Sequence, residues 1–129
     1  MKYLLFDLSL RDLIHLALFS EEQIVHASIP GRNRELLNAL DSFLIEQKYS
    51  KEDVRGMMVV VGAGGFTNTR IATVVANTFG YTQQIPLLAI TTAQIVHVQS
   101  LIPELLQRTA GHYISATYSG VPNITVKKV

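Results

Sequence analysis

The chain has 129 residues, a formal net charge of +1 and no cysteine. That length is typical of one domain with a real core, and without cysteine there are no disulfides or thiolate metal sites. The lysines and arginines are scattered and form no basic patch for nucleic acid. No apolar window reaches the length of a membrane span, and Asp7, Arg11 and Asp12 interrupt the apolar N-terminus before a signal peptide can form. We therefore expect a cytoplasmic protein.

The first third of the chain predicts three antiparallel strands. Residues 3–8, 13–19 and 23–29 are apolar or alternating runs, and short turns between such runs join neighbouring antiparallel strands. His15 and His26 fall on the second and third strands and could face each other. A zinc site usually needs at least three protein ligands, so we interpret both as ordinary strand residues.

The middle of the chain predicts two helices around a buried strand. Asn33 can cap a helix that runs to about Lys48, and residues 50–53 resemble a one-turn capping segment. The valine-rich run 57–61 predicts a strand covered on both faces. A glycine turn at 62–65 follows it, and helical spacing then predicts a helix over 68–80 that ends at Gly80.

The last third predicts one more strand, a helix and a hairpin. Residues 87–90 form a short apolar run, and Thr91 or Thr92 begins a helix through about Leu101. Pro103 either kinks that helix or begins a new turn. Residues 112–118 and 124–128 are strand-like. The order βββ-α-β-α-β-α predicts an α/β fold with a five-stranded mixed sheet, three antiparallel strands and then two parallel ones, over 1–110, with a terminal hairpin over 111–129.

The run VGAGGFTNTRI at 61–71 resembles the V-G-x-G-P-G-S-F-T-G-L-R-I-G signature of the TsaB (YeaZ) family. The N-terminal lobe of that family is a ribonuclease-H-like half domain of the actin-like ATPase superfamily. FDLS at 6–9 resembles its L-D-T-S, IPL at 85–87 its I-P-L, ITT at 90–92 its V-S-S, and RELL at 34–37 falls where it has H-S-E-x-L-L. The resemblance covers roughly residues 1 to 100.

This resemblance implies a subunit without catalysis of its own. TsaB proteins pair with a related active subunit, TsaD, in the threonylcarbamoylation of tRNA, and the N-terminal lobe supplies the dimer contact. The present sequence departs from the family in three ways. Its glycine turn is two residues shorter, Asn68 stands where the family has glycine, and most of the second lobe is missing. The terminal hairpin is interpreted as a vestige of that lobe.

Two candidate cofactor sites lie at the ends of predicted strands. Gly62, Gly64 and Gly65 either cradle a phosphate at a helix N-terminus or form a tight strand-to-helix turn, and we favour the turn because no P-loop lysine is present. Asp7 falls where actin-like ATPases have an aspartate of the nucleotide site. We interpret it as a turn or hydrogen-bonding residue, because that site needs two lobes to close.

The predicted helix 68–80 carries the candidate partner interface. We expect Ile71, Val74, Val75 and Phe79 to face the sheet. The small residues would then form another face that a second helix can approach closely, bordered by leucines of the preceding helix. The predicted interface residues are Leu37, Leu40, Leu44, Thr69, Ala72, Thr73 and Ala76.

These observations lead to one main hypothesis and two alternatives. The main one is a TsaB-like scaffold that pairs with a TsaD-like subunit or with itself, contacts tRNA only through the complex, and needs no cofactor, metal or membrane. The first alternative is a nucleotide-binding ATPase or kinase fragment that holds ATP with magnesium at a partner interface. The second is a self-associating module unrelated to tRNA.

Overall fold

The chain is built around one five-stranded sheet. The structure is a computed structural model that describes residues 2–62, 66–110 and Ile114, and of residue 33 and residues 66–69 it describes the backbone alone. The strands are β1 (Lys2–Asp7), β2 (Leu13–Phe19), β3 (Ile24–Pro30), β4 (Val54–Val60) and β5 (Leu87–Ile90). The α-helices are α1 (Leu36–Glu46), α2 (Phe66–Gln83) and α3 (Ile102–Leu106), and 3-10 helices span Asn33–Glu35, Lys51–Asp53 and Thr92–Leu101.

The strand order is β3-β2-β1-β4-β5. β1, β2 and β3 pair antiparallel, whereas β4 pairs parallel to β1 and β5 pairs parallel to β4. Short turns join the first three strands, and the longer connections through α1 and α2 supply the crossovers that parallel pairing requires. The predicted mixed sheet is confirmed. Asp7 at the end of β1 and Gly62 just after β4 therefore lie at the same edge of the sheet.

Side chains alternate between two buried faces of the sheet. On one face, strand residues such as Leu4, Phe6 and Val59 pack with α1 and α2 into the larger core. On the other, residues such as Tyr3 and Leu5 pack under the 3-10 helix Thr92–Leu101 and α3. Because both faces are covered, β1 and β4 are apolar along almost their whole length.

Residue size decides which side of α2 faces the sheet. Ala72 and Ala76 are fully buried, and Gly80 continues the same line at a spacing of four. A Cβ atom at Gly80 would lie 2.9 Å from side-chain atoms of Leu87, so the helix approaches β5 too closely for a larger residue. The prediction that Gly80 ends the helix is wrong, because glycine here serves close packing and α2 continues to Gln83.

Other observed boundaries also differ from the predicted ones. A 3-10 turn precedes α1, so the helix begins at Leu36 rather than just after Asn33. The capping segment is confirmed, since the backbone N–H of Ser50 donates to Asp53 Oδ2 at 2.8 Å. The predicted helix from Thr92 is a 3-10 helix, and Pro103 lies in the first turn of α3, where its missing N–H costs nothing.

The predicted terminal hairpin lies outside the described residues apart from Ile114, and the boundary at residue 110 stays a prediction. Ile114 itself is held against α2: the Asn77 amide donates to its carbonyl oxygen at 3.0 Å and accepts from its N–H at 2.8 Å. Over the residues that the structure describes, none of the helices combines the length and the apolar character needed to cross a bilayer.

Candidate functional site

Asp7 is a buried carboxylate whose two oxygens both have protein partners. The backbone N–H of Ser9 donates to Oδ1 at 2.9 Å, and His15 Nδ1 lies 3.1 Å from Oδ2. Burial by itself raises the pKa of Asp7, but the hydrogen bonds from His15 and Ser9 outweigh it and hold the pKa below its usual value. The interpretation of Asp7 as a hydrogen-bonding residue is confirmed.

Of the glycine turn at 62–65, the structure describes only the first residue, Gly62. Gly62 has a φ of 78°, in the left-handed region that glycine adopts without strain. This backbone conformation turns the chain away from β4. Gly64 and Gly65 lie outside the described residues, so the phosphate cradle that involves them stays a prediction.

His15 and His26 face each other across β2 and β3, as the sequence suggested. His15 Nε2 and His26 Nδ1 are 2.9 Å apart, and the ring centroids are 5.1 Å apart. Partial burial and then the charge of His15 lower the pKa of His26. In the described part of the chain, no group of three or more His, Asp or Glu side chains is placed to hold a metal ion.

The predicted faces of α2 are correct only in part: Phe79 is buried in the core and Ile71 and Val75 pack against it, as expected. Ala72, Thr73 and Ala76 are buried against the sheet, whereas Val74, expected to face the sheet, is 62% exposed. The close approach of α2 to the sheet, documented where Gly80 meets Leu87, favours small residues at the centre of the contact. The side chain of Thr69 lies outside the part of the chain that the structure describes, so its place in the interface stays a prediction.

The leucines of α1 divide in the same way. Leu40 and Leu44 are buried in the core beneath the helix, so this chain already covers them, whereas Leu37 is 56% exposed. The small residues and these two leucines therefore do not form the outer surface that was predicted for them. Leu37 does lie on that surface.

A groove of about 290 Å³ runs between α2 and the start of α1. Among the described residues that line it, Lys51 alone is charged. The lining residues are Leu37, Lys51, Val74, Val75, Thr78, Phe79, Thr82 and Gln83. Sequence reasoning missed Val74 and Thr78 as surface residues. The small residues at 72, 76 and 80, spaced by four, were the signal that could have identified the inner side.

Comparison of the structure with solved structures supports the fold. YeaZ from Pseudomonas aeruginosa superposes with a TM-score of 0.66 and 23% identity, over 81% of this chain and 51% of that protein. A second structure, an uncharacterized protein with similarity to peptidase YeaZ from Pseudomonas aeruginosa, gives a TM-score of 0.66 and 23% identity over 78% of this chain and 48% of that one.

The chain thus spans about half the length of the solved structures that it matches. The predicted fold, one lobe of the kind found in YeaZ, is confirmed. No family model and no curated protein sequence matches the chain.

Proposed function

We propose that this chain is a non-catalytic, TsaB-like scaffold subunit that binds a TsaD-like partner through the groove between α1 and α2 and serves the threonylcarbamoyl modification of tRNA. The observation that carries the proposal is an apolar groove on the outer side of two helices in a lobe with the fold of YeaZ. Contact with tRNA would come through the partner, because the net charge of the chain is only +1.

The groove has the chemistry of a protein-binding surface. Leu37 and Val74 are both more than half exposed, and the buried Phe79 also lines the groove. Covering apolar surface of this kind gains about 25 cal/mol for each Å² removed from water. Partly exposed threonines along the rim, Thr78 and Thr82, supply hydroxyls at the edge of such a contact.

The proposed role is to hold the partner in its active conformation, which requires only that the scaffold bind that conformation more tightly than the others. A nucleotide site centred on Asp7 gains no support, because both of its oxygens already accept hydrogen bonds within the chain. Calorimetry with ATP and magnesium tests that alternative directly, and we expect no binding below the millimolar range.

Association with the TsaD-like protein of the same organism tests the proposal. Val74→Arg should weaken binding at least tenfold, because it places a charge in the groove at an exposed position where the fold tolerates it. Val96→Arg is the matched control: Val96 is 82% exposed on the 3-10 helix that covers the opposite face of the sheet, and this change should leave affinity unaltered.

Equal affinities of wild type and Val74→Arg, or no association at micromolar concentrations, would overturn the proposal. Assembly of the purified chain with itself through the same groove, with no binding of the TsaD-like protein, would favour the self-associating module instead.

A further inference from the structure

Three neighbouring strands place a carboxylate and two imidazoles in a single row. Asp7 on β1 is paired with His15 on β2, and His26 on β3 lies diagonally from His15, opposite Ala17. All three side chains extend from the face of the sheet that carries Ala17, since alternate residues share a face. The contacts run from Asp7 Oδ2 to His15 Nδ1 at 3.1 Å and from His15 Nε2 to His26 Nδ1 at 2.9 Å.

The rings of the two histidines are placed for a hydrogen bond rather than for a shared metal. With the centroids 5.1 Å apart and the nitrogens 2.9 Å apart, the two nitrogens lie almost on the line between the rings. A zinc ion on that line would need each nitrogen about 2.0–2.1 Å from it, which the spacing does not allow. One hydrogen atom fits between them.

The protons of the row can be counted. Ionised Asp7 only accepts hydrogen bonds, so His15 Nδ1 must carry a proton. When both rings are neutral, His15 Nε2 has no proton and accepts from His26 Nδ1–H, which leaves His26 Nε2 without one. A first added proton makes His15 an imidazolium between Asp7 and His26, and every hydrogen bond is kept. A second places two N–H groups against each other, and the His15–His26 contact must open.

We propose that Asp7, His15 and His26 form a proton relay that makes the outer strand β3 sensitive to pH. The row takes up one proton with its contacts intact and releases the side-chain link between β2 and β3 when it takes up another. β3 responds because it pairs with β2 and, in the described part of the chain, with no other strand.

In the part of the chain that the structure describes, the other charged groups near this face are exposed, and some of them pair with each other. The 3-10 helix Thr92–Leu101 contributes the exposed His97, and α3 contributes Glu104, which contacts Arg108 at 3.4 Å. In the β1–β2 turn, Arg11 and Asp12 contact each other at 4.0 Å and are exposed. The β2–β3 turn carries the exposed Glu21 and Glu22 at the opposite end of these strands.

Nitrogen NMR of the histidines in the full chain tests the proposal. Near pH 8 (about 1.5 units above the usual histidine pKa) we expect His15 and His26 both to carry the proton on Nδ1, with Nε2 bare. On acidification His15 should become charged first, while the proton of neutral His26 moves to Nε2. His97, exposed on the 3-10 helix and outside the row, is the internal reference. Both rings protonated on Nε2 near pH 8 would overturn the relay.

Amide hydrogen exchange tests the consequence for β3. As His26 takes up its proton, the protection factors of β3 should fall relative to those of β1. His26→Gln cannot take up a proton, and since the position is exposed the fold should persist, so protection of β3 in this variant should stay constant over the same pH range. The same loss of protection in wild type and His26→Gln would refute the proposed link.

Discussion

The two sides of α2 differ in residue size more than in hydropathy. Ala72 and Ala76 lie on the inner side and are fully buried, whereas Val74, the more hydrophobic residue, lies on the outer side and is 62% exposed. Gly80, on the same line of the helix, sits so close to Leu87 of β5 that a larger residue would clash there. Val74 nevertheless remains on the outer side, and the comparison teaches that the more hydrophobic of two residues on a helix need not be the buried one.

The strongest test of this contrast is a charge on the inner side. Ala76→Arg should abolish cooperative folding or cost about 3–5 kcal/mol, because the charge would be buried without a partner. Val74→Arg, two positions away, should change stability by no more than about 0.5 kcal/mol, as substitutions at exposed positions usually do. Urea unfolding followed by circular dichroism measures both, and equal losses would show that the two sides do not differ.

A smaller loss is expected where α2 meets β5. Gly80→Ala should destabilise the chain by about 1–3 kcal/mol through overpacking against Leu87, although alanine in a helix is worth about 1 kcal/mol more than glycine. In a Leu87→Ala background the clash is absent, so Gly80→Ala should become stabilising. A double-mutant cycle measures the difference, and an equal cost in both backgrounds would contradict close packing as the cause.

Most of the fold could be predicted from the sequence because its signals are local. Alternation in residues 13–19, the valine run before Gly62 and the turn residues between strands each specify an element without reference to distant contacts. The observed boundaries that differ from the predicted ones depend on tertiary packing. In the sequence Gly80 predicts the end of a helix, and only its short distance to Leu87 explains a glycine inside α2.

The candidate site was less predictable, for the same reason. Hydropathy favoured Val74 over Ala76 for the core, and the distance between helix and sheet, which reverses that preference, is not visible in a local pattern. The contact of His15 with His26 follows from the register of β2 and β3, and that register could be inferred from the short turn. The link from His15 back to Asp7 needs a third strand, and it was not anticipated.

Lowering the pH tests the stability of the chain without changing the charge on either side of α2, because the helix has no Asp, Glu or His. The pKa of His26 lies below its usual value of 6.5 in the folded chain, so the unfolded chain binds more protons just below that pH. Stability should therefore decrease as the pH falls below about 6.5, until the folded-state pKa is passed. The lowered pKa of Asp7 also makes stability decrease as the pH falls, but only below the usual value of 3.8.

The size of this acid effect should be modest between pH 7 and 5 (about the range in which an ordinary histidine titrates), because His26 is exposed and solvent screens its interactions. Urea unfolding at a series of pH values measures it. In His26→Gln the decrease over this range should be reduced, whereas His97→Gln, the control on the 3-10 helix, should behave as wild type. A decrease that is identical in all three proteins would assign the acid sensitivity to other groups.

The smallest change in stability is expected on the outer side of α2. Leu37→Ser combined with Val74→Ser should cost less than about 1 kcal/mol in the isolated chain, since both side chains are more than half exposed. The same double variant should lose affinity for the TsaD-like protein, because it removes apolar surface that only a partner would cover. A loss of stability above about 2 kcal/mol would mean that these side chains belong to the chain's own core. Urea unfolding and binding, measured on one preparation, therefore separate a surface kept for a partner from one that the fold itself needs.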